Sequence, residues 1–185
     1  MELELKSSFV KDPFNIIIDK IILPNKPLSN YELLQAVKDL KIRNFRGVFL
    51  RDELPNKPRM NECGIINLAD SKDLEGTHWT CYFQGDPKGT KGIKDPRRVA
   101  RFPSQVLGSP SHSSKKEWKV YYFDSYGIQP PIEIVKYLGS NTIQNTFQIQ
   151  DFNQVVCGHL CLYVLFHLNK GKDFNEIIFS LISNP

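Results

Sequence analysis

At 185 residues, with 41% hydrophobic and 24% charged residues, the chain has the length and composition of a globular domain and not of a disordered segment. Its formal charge of +4 is modest, no stretch approaches the ~18 consecutive apolar residues of a membrane span, and the acidic start MELELKSSFVKDPF lacks the basic and apolar regions of a secretory signal. A single domain over residues 1–185, not secreted and with no membrane partner, is expected, and four cysteines without a CxxC pair point to reduced thiols.

In chain order, FNIIIDKIIL at 14–23 is Ile-rich and bounded by Pro13 and Pro24, which predicts extended structure. Ser29 followed by Glu32 forms a capping box, and Leu33, Val37 and Leu40 then share one face of a helix ending before Asn44. FRGVFL at 45–50 and GIINLAD at 64–70 read as strands on either side of a Pro-containing loop. HWTCYF at 78–83 and WKVYYFD at 118–124 combine aromatic and β-branched residues at strand length and are predicted neighbours. Pro130 and Pro131 suit the first turn of a short helix carrying Ile134, Val135 and Leu138, stopped at Gly139, and FQIQ at 147–150 reads as a last short strand.

From Cys157 to Asn169 the pattern CGHLCLYVLFHLN is apolar nearly all round, as expected of a centrally buried helix. Asp173 and Glu176 provide a capping box for a following helix with an apolar stripe of Phe174, Ile177, Ile178, Leu181 and Ile182. The order of elements predicts an α+β fold, a mixed sheet packed against helices. Residues 85–117 form a polar insertion with eight basic and three acidic residues, while the rest of the chain is close to neutral. Lys88, Lys91, Lys94, Arg97, Arg98 and Arg101, with Phe102 among them, are candidate nucleic-acid contacts of this basic loop; solubility is the competing use of such charge.

A cysteine is a nucleophile as its thiolate, and a helix N-terminus with a nearby imidazolium lowers its pKa. Cys157 begins a helix, and Gly158 after it permits close approach of a substrate backbone, while N–H groups at the helix start can point at an oxyanion. His78 opens one predicted strand and Asp124 closes the next, so antiparallel pairing brings them to one end of the ladder, about 5 Å apart at Cα if directly opposed. Alternation places His78, Thr80 and Tyr82 on one face and Trp79, Cys81 and Phe83 on the other, which predicts His78 toward the helix start and Trp79 behind the sheet. His112 lies in a polar loop, and His159, two residues beyond Cys157, points to another side of the helix. Gln148, Gln150 and Gln154 are all candidate oxyanion donors by position. The spacing CGHLC lacks the paired-cysteine pattern of a structural zinc site, so no metal is expected.

Taken in order, HW at 78–79, YYFDSYG at 121–127 and Q-x6-CG at 150–158 resemble the adenovirus-type maturation proteases, with the proteases of Maverick/Polinton elements and virophages the nearest in phrasing at NFRGVFLRDELP and YYFDSYG. The ubiquitin-like-modifier proteases share the order His, Asp, Gln, Cys. The resemblance implies the adenain and ubiquitin-like-protease cysteine peptidase fold, with His78 as general base, Asp124 orienting it, Cys157 attacking, and Gln150 with the Cys157 N–H forming the oxyanion hole. Trp79, matching the aromatic after the family histidine, and Gly158 are then the expected substrate contacts. Adenoviral members usually carry Glu where Asp124 stands, and the separation of His78 from Asp124 is longer than relatives use; the excess falls in the basic loop.

The expected function is a cysteine endopeptidase that cleaves viral or transposon precursor proteins, chiefly capsid components, after small residues such as Gly during particle maturation. By the same resemblance it works in the virion and the host-cell interior, in cytoplasm or virus factory, requires no cofactor, and is open to stimulation by DNA or an activating peptide. A deconjugating protease for a ubiquitin-like modifier uses the same residues and is the first alternative. A nucleic-acid-binding module on a protease fold, motivated by the basic loop, is the second.

Overall fold

The Ile-rich run after Pro13 folds back on itself. In the computed structural model, which describes residues 9–11, 15–73, 76–85 and 118–183, β1 (Phe9–Lys11), β2 (Asn15–Ile18) and β3 (Ile21–Pro24) form a small antiparallel sheet in that order. Asp19, at φ 55°, makes the reversal between β2 and β3, a backbone that Asp tolerates better than a β-branched residue. One predicted extended segment is thus a hairpin.

Helix α1 (Asn30–Asp39) starts with the expected capping box: Glu32 N–H donates to Ser29 Oγ at 3.3 Å and Ser29 N–H donates to the Glu32 carboxylate at 2.9 Å. Leu33, Ala36 and Val37 are its buried face. The second sheet has the order β4 (Phe45–Leu50), β5 (Glu62–Asn67), β6 (Trp79–Gly85), β7 (Lys119–Phe123), β8 (Ile143–Gln144). The β4–β5 and β7–β8 pairs are parallel and the two central pairs antiparallel, so the sheet is mixed. FQIQ is not a strand. The Ile149 and Gln150 N–H groups both donate to the Ser125 carbonyl, at 2.8 and 3.0 Å, which ties the segment to the turn after β7, and Ile143–Gln144 takes the sheet edge instead.

The faces of the five-stranded sheet divide as period-2 alternation requires. Cys63 and Ile65, Trp79, Cys81 and Phe83, and Tyr121 and Phe123 face the main core, shared with α1, β2, α3 (Cys157–Asn169) and α4 (Phe174–Ser183). Ile66, Tyr82 and Tyr122 face the other way and are covered by Ile134, Tyr137 and Leu138 of α2 (Ile132–Leu138), whose end is capped at Gly139. Pro130 and Pro131 stand just before α2, Pro131 at its N-cap. Every residue of α3 from Gly158 to Asn169 is buried, which explains why its sequence is apolar on all sides. The arrangement is α+β, and among the described residues no helix is long and apolar enough to cross a membrane.

Candidate active site

The sheet delivers His78 to the lining of a cleft of about 430 Å³ with Asp124 buried behind it, and α3 delivers Cys157 to the same lining. His78 immediately precedes β6 and Asp124 immediately follows β7. The paired residue numbers in this ladder are constant in sum, Cys81 with Phe123 and Tyr82 with Tyr122, so the register leads Asp124 toward Thr80 and His78 toward Tyr126. The two lie at the same end of the ladder, as expected, and are diagonal neighbours, not directly opposed. They still meet: His78 Nε2–H donates to Asp124 Oδ1 at 3.1 Å, with Asp124 almost fully buried and the His78 side chain 12% exposed.

Trp79 does not pack behind the sheet. It faces the core on the α3 side, where the Cys161 thiol donates to the Trp79 carbonyl at 3.4 Å, and its indole N–H donates to the Leu28 carbonyl at 2.9 Å. The strand alternates as expected, but the helix lies on the Trp79 face. His78, standing outside the paired residues of β6, reaches Cys157 from beyond the strand end.

No side chain caps the N-terminus of α3. Burial opposes ionisation of Cys157, yet the hydrogen bond with His78, the Trp79 N–H, the charge of His78 and the Gly158 N–H together hold its thiol below the usual range. For His78, burial disfavours the imidazolium, but hydrogen bonds with Asp124 and Cys157 outweigh it and raise the pKa to about 9. With Nε2 given to Asp124, Nδ1 is the nitrogen left for the thiol. Burial instead raises the thiols of Cys63 and Cys161, so Cys157 is distinguished from them electrostatically.

The three glutamines separate. Gln148 donates from its side chain to the Gln150 carbonyl at 2.9 Å, and Gln154, which also lines the cleft, donates to the Asp151 carboxylate at 3.0 Å. Gln150 is buried, lines the cleft, accepts from Ser125 Oγ at 2.8 Å, and donates to the Gln154 carbonyl at 2.7 Å and the Tyr126 hydroxyl at 3.3 Å. Its oxygen is fixed by Ser125, so its amide nitrogen is the end turned to Gln154 and Tyr126, which also line the cleft.

Trp79 lines the cleft, whereas Gly158 is explained by packing: a Cβ there would lie 3.2 Å from the Trp79 ring and 3.3 Å from Leu33. Pro27, Leu28 and Ser29 also line the cleft, so the capping box that starts α1 helps shape the site. His159 is buried and bonded through Nε2 to the Pro24 carbonyl at 3.0 Å, away from the cleft lining. Among the described residues no group of three or more His, Cys, Asp or Glu side chains is placed to hold a metal ion. Lys88, Lys91, Lys94, Arg97, Arg98, Arg101 and His112, with the basic loop apart from Gly85, lie outside the described residues.

Sequence reasoning missed three residues that support the site. Asn145 clamps Asp124, accepting from its N–H at 3.1 Å and donating to its carbonyl at 2.6 Å. Ser125 orients Gln150. Tyr126 N–H donates to Asp124 Oδ1 at 2.7 Å, sharing that oxygen with His78. DSYG carried a turn signal, which points to the reversal but not to these partners. Comparison of the sequence with protein-family models and with curated proteins yields no match.

Proposed function

We propose that the chain is a cysteine peptidase of the adenovirus-protease type that hydrolyses peptide bonds through a thioester. The observation that carries this reading is the His78 imidazole set between Asp124 Oδ1 and Cys157 at the N-terminus of α3. Cys157 Sγ attacks the scissile carbonyl carbon, and the negative oxygen is held by the Cys157 N–H and Gln150 Nε2. Collapse breaks the C–N bond as His78 gives its proton to the leaving amine. His78 then takes a proton from water, hydroxide adds to the thioester, and loss of the thiolate releases the acid. Asp124 keeps the proton on Nε2 and steadies the imidazolium throughout.

The ordered motifs HW, YYFDSYG and Q-x6-CG support the finer reading, an adenain-like fold acting on capsid-type precursors after small residues such as Gly, inside the virion or host cell. Removal of ubiquitin-like modifiers uses the same machinery. Incubation with candidate precursor proteins, followed by mapping of new termini by mass spectrometry, tests the reading, with Cys157→Ala as control. New termini present with wild type and absent with the variant support it; cleavage by both defeats it. Labelling by a ubiquitin-like protein with a reactive C-terminus, without precursor cleavage, favours the deconjugating alternative.

A further inference from the structure

Tyr126 makes contacts that its place in a turn does not require. Its ring lies on the His78 imidazole, with centroids 4.7 Å apart and planes 30° from parallel. Its N–H shares Asp124 Oδ1 with His78, and its hydroxyl accepts from Gln150 Nε2 at 3.3 Å. Phe152, 80% exposed, stacks on the same ring at 5.3 Å.

We propose that Tyr126 is a positioning residue that couples the base to the oxyanion donor, its ring holding His78 in the protonated form and its hydroxyl keeping the Gln150 amide aimed into the cleft. The proposal rests on the peptidase reading and adds a residue to it. An aromatic face attracts a cation, so a ring stacked on the imidazole favours imidazolium and hence the thiolate that it pairs with. Phe152 packs against the same ring. Gln150 commits one N–H to the Gln154 carbonyl at 2.7 Å and holds the longer bond to the phenol with the other. The substrate oxyanion, a charged acceptor, outcompetes a phenol for that second N–H. Between turnovers the phenol therefore preserves the amide orientation that the transition state uses.

Two measurements on the full-length protein separate ring from hydroxyl. The rate of Cys157 alkylation by iodoacetamide, followed against pH by mass spectrometry, reads the thiolate without any substrate. Tyr126→Phe is expected to keep the wild-type midpoint, and Tyr126→Leu to raise it by about half to one pH unit. If circular dichroism shows Tyr126→Leu to be unfolded, Tyr126→Met takes its place. Peptide hydrolysis reads the hydroxyl: Tyr126→Phe is expected to lower kcat about three- to tenfold at unchanged KM, since the amide acts on the oxyanion and not on bound substrate. A wild-type midpoint in the ring-deleted variant, or a wild-type kcat in Tyr126→Phe, overturns the proposal. A wild-type protein that alkylates at Cys157 but cleaves no peptide defeats the peptidase reading instead, and the midpoint then decides the role of Tyr126.

Discussion

His78 and Asp124, 46 residues apart in sequence, are joined by a 3.1 Å hydrogen bond because one stands just before β6 and the other just after the antiparallel strand β7. Asp124 Oδ1 receives a second donor, the Tyr126 N–H, at 2.7 Å. Two N–H groups converging on one oxygen fix which atom an amide would place there.

That convergence sets the expected order of the triad variants. In Asp124→Asn the carbonyl oxygen takes the Oδ1 position, so the Nε2–H tautomer of His78 survives and only the charge is lost. Turnover is expected to fall about 10²-fold, against about 10⁴-fold for His78→Ala, which removes both base and counter-ion. Cys157→Ala is expected to be inactive and folded. Steady-state kinetics on one peptide substrate gives all three values, and equal losses in Asp124→Asn and His78→Ala would refute the expectation that the Asn variant keeps the His78 tautomer and loses only the charge.

The pH profile follows from the same pair. Cys157 is held below its ordinary range and His78 is raised to about 9, so the thiolate–imidazolium pair is the dominant form between those values. Activity should rise with pH through the lowered thiol pKa and fall as His78 loses its proton near 9. The linked stability has the matching sign. The His78 contribution is fully present below its unfolded pKa of about 6.5 and is lost as pH rises through about 9. Asp124→Asn should move the alkaline limb to lower pH, because the hydrogen bond and charge of Asp124 are among the causes of the raised value; an unmoved limb would show that Asp124 does not set it.

What could be read in the sequence depended on whether the signal was local. The Ser29–Glu32 box is self-contained within four residues and formed as expected. The aromatic strands that frame the site were legible for the same reason, since β-branched and aromatic runs need no distant partner to be recognised. FQIQ has strand composition, but the Ile149 and Gln150 N–H groups are taken by the Ser125 carbonyl, a contact that no local pattern encodes. The face of Trp79 is not legible from the sequence because alternation separates two faces without saying which one receives the helix; the Cys161 contact decides that. Asn145 reaches Asp124, and Ser125 and Tyr126 reach Gln150, only because the chain returns to this turn after β8.

Removal of the Gln150 amide is expected to cost about 3 kcal/mol of transition-state stabilisation, some 10²-fold in kcat. Gln154→Ala should be mild, because the Gln150 amide bonds the main-chain carbonyl of Gln154 and that carbonyl survives the substitution. Ser125→Ala should fall between them, since it frees the Gln150 oxygen without deleting the amide. Measuring kcat and KM for the three variants tests the order. A severe Gln154→Ala beside a silent Gln150→Ala would transfer the oxyanion role to Gln154.

The last expectation concerns stability in acid and involves a histidine outside the proposed chemistry. His159 is fully buried on α3 and bonded to the Pro24 carbonyl at the end of β3, and burial lowers its pKa to about 4, against weaker opposing effects of that bond and of Glu32. Between about 6.5 and 4 the unfolded chain binds a proton at this residue that the folded chain does not, so folding stability must fall as pH falls through that interval. The full contribution is about 3 kcal/mol once pH is below both values. His167, also buried and lowered to about 3, acts in the same direction. His159→Gln retains an N–H donor for Pro24 and has no charge to gain, so its stability should decline less steeply over the same range. Urea denaturation at pH 7, 6, 5 and 4.5 compares the slopes. Parallel curves for wild type and variant would show that His159 takes up its proton in the folded state without penalty, contrary to its burial against β3.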